Sequence, residues 1–244
     1  MFDDVKRKPG GREEAAGAPA SHMRSAADAA TELAARVAAV PAADLGFVQY
    51  FNTEFAPRLG KREAGFRIMF NLLERGQLAG ALLPLIVETG SLRQHGNWEG
   101  DGQSTIQFAA FADAYPSEVH TVDLAPEAAE LVRRVCGTRV TAHTGDSVAY
   151  LHGLGSASAP RKIDLLYLDS YDFDPADPFP SAFHHIKELI AARPCLSEGS
   201  IVAIDDNIEL ADGSFTGKGY LAKQWFDHVG IKCLHQGYQY IWQL

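Results

Sequence analysis

The chain has 244 residues, 46% of them hydrophobic, and 22 Lys and Arg against 31 Asp and Glu give a formal net charge of −9. This length and apolar content suit one α/β domain with a sizeable core. An acidic surface repels phosphate backbones, which argues against a nucleic-acid partner.

Cys136, Cys195 and Cys233 lie far apart, with no CxxC pair to suggest zinc, and an odd count argues against a secreted disulfide framework. The longest apolar run, Leu78 to Val87, is interrupted by Gly80 and Pro84 and is too short to cross a bilayer. With no apolar signal segment at the front, the expectation is a cytoplasmic protein with no membrane partner.

Residues 1–22 mix charge, Gly, Ala and Pro with almost no large apolar side chains, which predicts a disordered tail. Residues 23–83 read as a helical extension, with one helix over 24–39 and a second near 62–75. In the second, Phe66, Met69, Phe70 and Leu73 share one face. Between the two lies an aromatic-rich run, 47–60, which either packs against the main sheet or forms a lid over a substrate pocket.

From residue 84 strand-like and helix-like stretches alternate, the pattern of a parallel sheet covered on both faces. The strand-like stretches are 85–89, 118–123, 139–143, 163–169 and 200–205. Ala128, Leu131, Val132 and Val135 form one helical stripe, with Pro126 in its first turn, and Phe183, Ile186 and Ile190 form another. After 205 the reading is a loop, a helix near 218–229, and two last strands, 231–235 and 238–243. The Gln236-Gly237 link favours an antiparallel hairpin there.

Ligands of an open parallel sheet bind beyond the carboxyl ends of its strands. Those ends carry Glu88-Thr89-Gly90, Asp123, Gly145-Asp146, Asp169 and Asp205-Asp206-Asn207, a row of carboxylates suited to a polar, partly cationic ligand. Gly90 and Gly102 let backbone approach a ligand, and Ser104 or Thr105 is placed to cap the next helix. Asp123 suits the two hydroxyls of a ribose. G-x-G-x-x-G is absent, Asp101 would repel a pyrophosphate, and Gly217-Lys218-Gly219 lies in the wrong place for a Walker A loop. The ligand implied is an adenosine with little or no phosphate.

Glu88-x-Gly90, Gly102-x-Ser104-Thr105, Asp123, Gly145-Asp146, Leu165–Asp169 and Leu196-x-x-Gly199 followed by Asp205-Asp206-Asn207 resemble the class I S-adenosylmethionine-dependent methyltransferases. The nearest pattern is the catechol and sugar O-methyltransferase group, and the resemblance covers about residues 84–244. It implies a Rossmann-like fold whose seven-stranded sheet is mostly parallel, ends in an antiparallel hairpin and follows an N-terminal helical extension. It implies S-adenosylmethionine as cofactor and a small molecule as substrate. Glu88, Gly90, Gly102, Ser104 and Thr105 would frame the methionine loop. Asp123 would hold the ribose, Asp146 and Ser147 the adenine edge, and Asp169 would lie beside the sulfonium.

The resemblance further implies Mg²⁺ on Asp169, Asp206 and Asn207, all hard oxygen donors, with Asp205 as a substitute; without an ion these side chains would hydrogen-bond loop groups instead. Two departures stand out. The first loop carries an insert within Ser91–Asp101, read as decoration although Arg93, His95, Trp98 and Glu99 are candidates to reach the substrate. The base of the catechol group is a lysine, where this chain has Asp172. Asp172 would serve only with a metal-acidified hydroxyl or a burial-raised pKa; Tyr171 and His184 or His185 are the alternatives. Competing readings are an enzyme that attacks the aminocarboxypropyl chain and releases methylthioadenosine, a non-catalytic cofactor-binding protein, and a nicotinamide oxidoreductase. A homodimer is the base-rate expectation for assembly.

Overall fold

The computed structural model describes residues 46–80 and 83–244; the expected tail over 1–22 and helix over 24–39 lie outside them. Its strands are β1 (Leu85–Thr89), β2 (Glu118–Asp123), β3 (Thr141–Thr144), β4 (Leu165–Leu168), β5 (Ile201–Ile204), β6 (Asn207–Glu209), β7 (Phe215–Gly217), β8 (Cys233–Gln236) and β9 (Tyr240–Gln243). The helices are α1 (Phe47–Glu54), α2 (Glu63–Leu78), α3 (Trp98–Asp101), α4 (Ser104–Ala114), α5 (Pro126–Cys136), α6 (Ser147–Gly155), α7 (Phe179–Ala192) and α8 (Tyr220–His228).

Seven strands form one sheet in the order β3-β2-β1-β4-β5-β9-β8. The first five are parallel, and β9 runs antiparallel to both β5 and β8. The chain order reverses between β1 and β4, which is the switch point where open α/β sheets bind ligands.

Side-chain alternation along the strands splits the core in two. Ile86, Leu165, Tyr167, Ile201 and Ala203 face a layer with α1, α2, α4 and α5. Leu85, Val87, Leu166, Leu168 and Val202 face a layer with α6, α7 and α8. Apolar residues on both faces explain why these strands read as unbroken hydrophobic runs.

The aromatic run packs into the core. Phe47 and Phe51 are fully buried and pack on Phe70, and Phe47 also meets Phe111 edge-on at 5.2 Å. Phe66 stacks on Tyr167 of β4 at 5.5 Å, which ties α2 to the middle of the sheet. The N-terminus of α1 is anchored by Glu74, whose Oε1 accepts from Phe47 N at 2.5 Å and from the Tyr115 hydroxyl at 2.8 Å.

Three local expectations change. The loop after β5 contains a small antiparallel hairpin, β6–β7, in which Asn207 pairs with Gly217. The terminal hairpin turns over 237–239, since β8 ends at Gln236 and β9 starts at Tyr240. In α7 the buried face is Ala182, His185, Glu188, Leu189 and Ala192, while Phe183 and Ile190 are exposed. The apolar stripe gave the wrong face because polar residues of α7, His185 and Glu188 among them, are turned inward to the site described next. Among the described residues no helix is long and apolar enough to cross a membrane.

Candidate active site

A cleft of about 270 Å³ opens at the carboxyl ends of β1, β2, β3 and β4, lined among others by Gly90, Asp123, Asp146, Ser147, Asp169 and Tyr171. Its floor requires glycine at position 90. Gly90 has φ +79°, and a Cβ there would lie 2.6 Å from the Asp169 carbonyl oxygen. The chain leaving β1 thus passes directly against the chain leaving β4.

Asp123 braces the cleft with both oxygens: Oδ2 accepts from Ser91 N at 3.0 Å and Oδ1 from Ala125 N at 2.8 Å. Each oxygen keeps a lone pair for a ligand hydroxyl. Asp146 caps α6 by accepting from Ala149 N at 2.7 Å. Ser147 Oγ lies 3.1 Å from His184 Nε2, and the His184 ring stacks on Tyr171 at 5.3 Å. Tyr171, Asp206 and Gln103 all adopt positive φ without being glycine, so strained backbone gathers around this site.

Beneath the first loop Glu88 is fully buried, and burial pushes its carboxyl up to about 7, against hydrogen bonds from Ser104, Thr105 and Thr121. The Thr105 hydroxyl donates to Glu88 Oε2 at 2.6 Å and accepts from Leu92 N at 3.1 Å, pinning the loop to the strand. Neither Ser104 nor Thr105 caps α4. Its N-cap is Gln103, in the left-handed region, whose side chain instead holds the insert by accepting from Gly96 N and donating to Gln94 O, each at 2.8 Å. Gly102, with φ +61°, closes α3, and a Cβ there would strike Arg62. Glu88, Gly102, Ser104 and Thr105 therefore lie behind the cleft wall and shape it.

The insert is part of the site. Arg93 and Asp101 line the cleft, Trp98 stacks on Phe55 at 5.6 Å, and the Glu99 carbonyl accepts from Arg62 at 2.9 Å. Asp172 is exposed and ion-paired to Arg93 at 2.8 Å, so the burial that would make it a base is absent.

Asp169, Asp205 and Asp206 bring carboxylate oxygens within 4.8 Å of one another. Two cations absent from the expected set lie among them. Lys218, only 1% exposed, places Nζ 2.7 Å from Asp169 Oδ1 and 2.8 Å from Asp206 Oδ2. Buried Arg62 donates to Asp205 Oδ2 at 2.6 Å and to Asp206 Oδ1 at 3.1 Å, and Tyr238 donates to the same Asp206 oxygen at 2.6 Å.

Burial raises the Asp169 carboxyl, with Asp205 and Asp206 adding to the effect and Lys218 opposing it. Burial pushes Asp206 up too, but the Lys218 ammonium holds it below the usual carboxylate range. Burial pulls Lys218 down, and Asp169 and Asp206 more than reverse that. Asn207 does not join this group. Its amide donates to the carbonyls of Ile204 and Asp205 at 2.9 and 3.2 Å, and its oxygen accepts from Gly219 N at 2.8 Å.

This arrangement does not fit Mg²⁺. The ion needs carboxylate oxygens at about 2.1 Å, and Asp169 Oδ1 and Asp206 Oδ2 already hold an ammonium. The cleft itself suits an adenosyl group: glycine floor, a braced carboxylate at the end of β2, and a helix-capping Asp-Ser pair at the end of β3.

Behind the cleft, α7 contributes buried Glu188, which accepts from Ser170 Oγ at 2.6 Å and sits 3.3 Å from His184 Nε2. His185 is wholly buried, with Nδ1 2.7 Å from the Ser181 carbonyl, and burial lowers its pKa to about 4. The inward turn of His185 and Glu188 had no signal in helical periodicity.

No curated protein matches the sequence closely. Among solved structures the chain is similar to CalS11, a TDP-rhamnose 3′-O-methyltransferase of calicheamicin biosynthesis, at 15% identity over 90% of this chain and 95% of that one, with a TM-score of 0.48. It is also similar to the MycE methyltransferase of the mycinamycin pathway, in complex with Mg, S-adenosylhomocysteine and mycinamycin VI, at 14% identity and a TM-score of 0.46. That likeness covers 88% of this chain and 54% of MycE. A probable spermidine synthase from Corynebacterium glutamicum gives 18% identity over 58% and 47% of the two chains, with a TM-score of 0.37. Residues 99–207, which run from the insert through the strand ends to Asn207, match the family model described as a methyltransferase domain. That matched stretch spans less than half of the chain and runs through β2 to β5 of the sheet ordered β3-β2-β1-β4-β5-β9-β8, so the chain carries a region similar to a methyltransferase domain.

Proposed function

We propose that this enzyme methylates a hydroxyl oxygen of a small molecule. The observation that carries the reading is Asp169: it lines the cleft, burial raises its carboxyl, and its Oδ2 has no hydrogen-bond partner among the described residues. A carboxylate of raised pKa at that point is a better proton acceptor than one in water.

S-adenosylmethionine supplies an activated methyl group when bound. The chain supplies the rest. Asp123 takes the ribose hydroxyls, Asp146 and Ser147 border the adenine, and Gly90 lets backbone pass beneath the methionine part. Asp169 Oδ2 accepts the proton that the acceptor hydroxyl loses as its oxygen takes the methyl group. Tyr171 and His184 stack on one another in the cleft wall beside it. Residues 84–244 are the catalytic domain in this reading, and the preceding helices complete its core.

Incubation with S-adenosylmethionine and a panel of alcohols, phenols and sugars, followed by mass spectrometry, tests the proposal. The expected products are S-adenosylhomocysteine and an O-methylated acceptor. Methylthioadenosine in place of S-adenosylhomocysteine would overturn it in favour of attack on the aminocarboxypropyl chain.

A further inference from the structure

We propose that Lys218 is this site's built-in cation, standing where a divalent ion would otherwise sit, so that the enzyme binds no metal there. The inference rests on the reading of the cleft as the S-adenosylmethionine site and goes beyond it.

The ammonium is saturated by the carboxylates it holds. Its three N–H groups are matched by Asp169 Oδ1 at 2.7 Å, Asp206 Oδ2 at 2.8 Å and the Asp169 carbonyl at 3.2 Å. A divalent ion bridging Asp169 and Asp206 would need the same two oxygens at about 2.1 Å. The two cations are therefore alternatives at one position.

Lys218 is not a surface lysine that happens to fold inward. Its backbone is clamped to the segment that carries the carboxylates. Lys218 N donates to the Asp206 carbonyl at 3.3 Å, and Gly219 N donates to Asn207 Oδ1 at 2.8 Å. Gly217 has φ +135°, and a Cβ there would lie 2.3 Å from the Asp206 carbonyl. A Cβ on Gly219 would lie 2.7 Å from the Tyr240 ring and 2.8 Å from Asn207 Oδ1. Glycine on each side is thus what lets β7 press against the start of β6 and send the Lys218 side chain between the two aspartates. Asn207, an expected metal ligand, is consumed by this clamp.

Charge favours the same assignment. When all three are ionised, Asp169, Asp205 and Asp206 carry three negative charges, and Lys218 and Arg62 return two positive ones. The remaining negative charge matches a single sulfonium. A divalent ion added to both side-chain cations would leave the pocket positive before the sulfonium arrived, in a setting where like charges are poorly screened. Lys218 is a positioning residue in this scheme: it fixes Asp169 Oδ1 and leaves Oδ2 to the acceptor.

The test is Mn²⁺ titration of metal-stripped protein, followed by electron paramagnetic resonance, with S-adenosylhomocysteine binding measured by calorimetry in EDTA alongside. Wild type is expected to leave Mn²⁺ free up to about 1 mM, the weak end of oxygen-ligand cation sites. Lys218→Met, with Asp169 and Asp206 uncovered, is expected to bind one Mn²⁺ at least about tenfold more tightly. If that variant is too unstable to measure, Lys218→Gln replaces it. Stoichiometric, micromolar Mn²⁺ binding by wild type that Asp206→Asn abolishes overturns the proposal, as does a folded Lys218 variant that gains no Mn²⁺ affinity. Loss of S-adenosylhomocysteine binding in wild type instead counts against the cofactor reading, so the two failures are distinguishable.

Discussion

Gly90 and Asp169 meet backbone to backbone: a Cβ on residue 90 would stand 2.6 Å from the Asp169 carbonyl oxygen and 2.8 Å from its carbon. Gly90→Ala therefore adds left-handed strain to a collision with atoms that cannot move aside. The expected cost is roughly 1–3 kcal/mol of stability, read by urea denaturation, together with loss of S-adenosylhomocysteine binding by calorimetry. Wild-type stability and affinity in this variant would show that the two loops do not depend on one another.

Asp123→Ala removes a carboxylate that accepts from Ser91 and Ala125 and faces the cleft. Hydrogen bonds to a charged group are worth about 1.5–3 kcal/mol each, so the dissociation constant for S-adenosylhomocysteine should rise by roughly 10- to 100-fold. Asp123→Asn, which keeps one acceptor oxygen, should fall between. An unchanged constant for Asp123→Ala, measured by calorimetry, removes the ribose assignment.

The fold was legible in this sequence because each central strand is buried on both faces, so 85–89 and 163–169 stand out as apolar runs between helical stripes. The carboxylates at strand ends were legible for a related reason: topology places every strand end on one rim. The cations opposite them were not. Arg62 is 143 residues from Asp205 in the chain and lies in a 3₁₀ turn before α2, where an arginine reads as surface. Lys218 sits in a Gly-Lys-Gly run between a three-residue strand and a helix, too short for any periodicity to register. A lysine between two glycines in a loop of aspartates was the available hint, and only the pairing of Asn207 with Gly217 gives it meaning. The misread face of α7 has the same origin, since burial of His185 and Glu188 serves polar partners that lie far off in sequence.

Asp172 and Asp169 should separate sharply. The Asp172 side chain is 77% exposed and bound to Arg93, the kind of pair that contributes about 0–1 kcal/mol. With an acceptor in hand, Asp172→Asn should lower kcat by less than about tenfold, whereas loss of a general base at Asp169 should lower it by about 10²–10⁴-fold. The reverse order would return the base role to Asp172.

Arg62 joins the helical extension to the catalytic rim. It holds Asp205, Asp206 and the Glu99 carbonyl, and its guanidinium lies 4.7 Å from the Tyr238 ring centre. Arg62→Ala leaves Asp205 buried without its countercharge, a change that costs about 3–5 kcal/mol in comparable buried pairs. Arg62→Ala combined with Asp205→Leu should recover part of that loss, because the stranded charge is gone. Chemical denaturation of the single and double variants decides, and a double variant no more stable than the single one would show that Arg62 acts by packing alone.

Acid should weaken the fold through His185. Burial lowers its pKa from 6.5 to about 4, with Lys218 and His184 acting in the same direction and Glu188 and the Ser181 carbonyl opposing. The folded state keeps the ring neutral over a range where the unfolded chain takes up a proton. Stability is then full above about pH 6.5 and falls as the pH drops towards 4, by roughly 3 kcal/mol across the window. Nδ1–H donates to the Ser181 carbonyl in the neutral ring, so a second proton would have to enter at Nε2, 3.8 Å from Glu188 Oε2 and closed off from water. His185→Gln removes the titration while keeping a donor for that carbonyl. Urea midpoints for wild type should decline between pH 7 and pH 5 more steeply than those of the variant; parallel slopes would mean that the acid sensitivity lies in the carboxylates of the rim and not in α7.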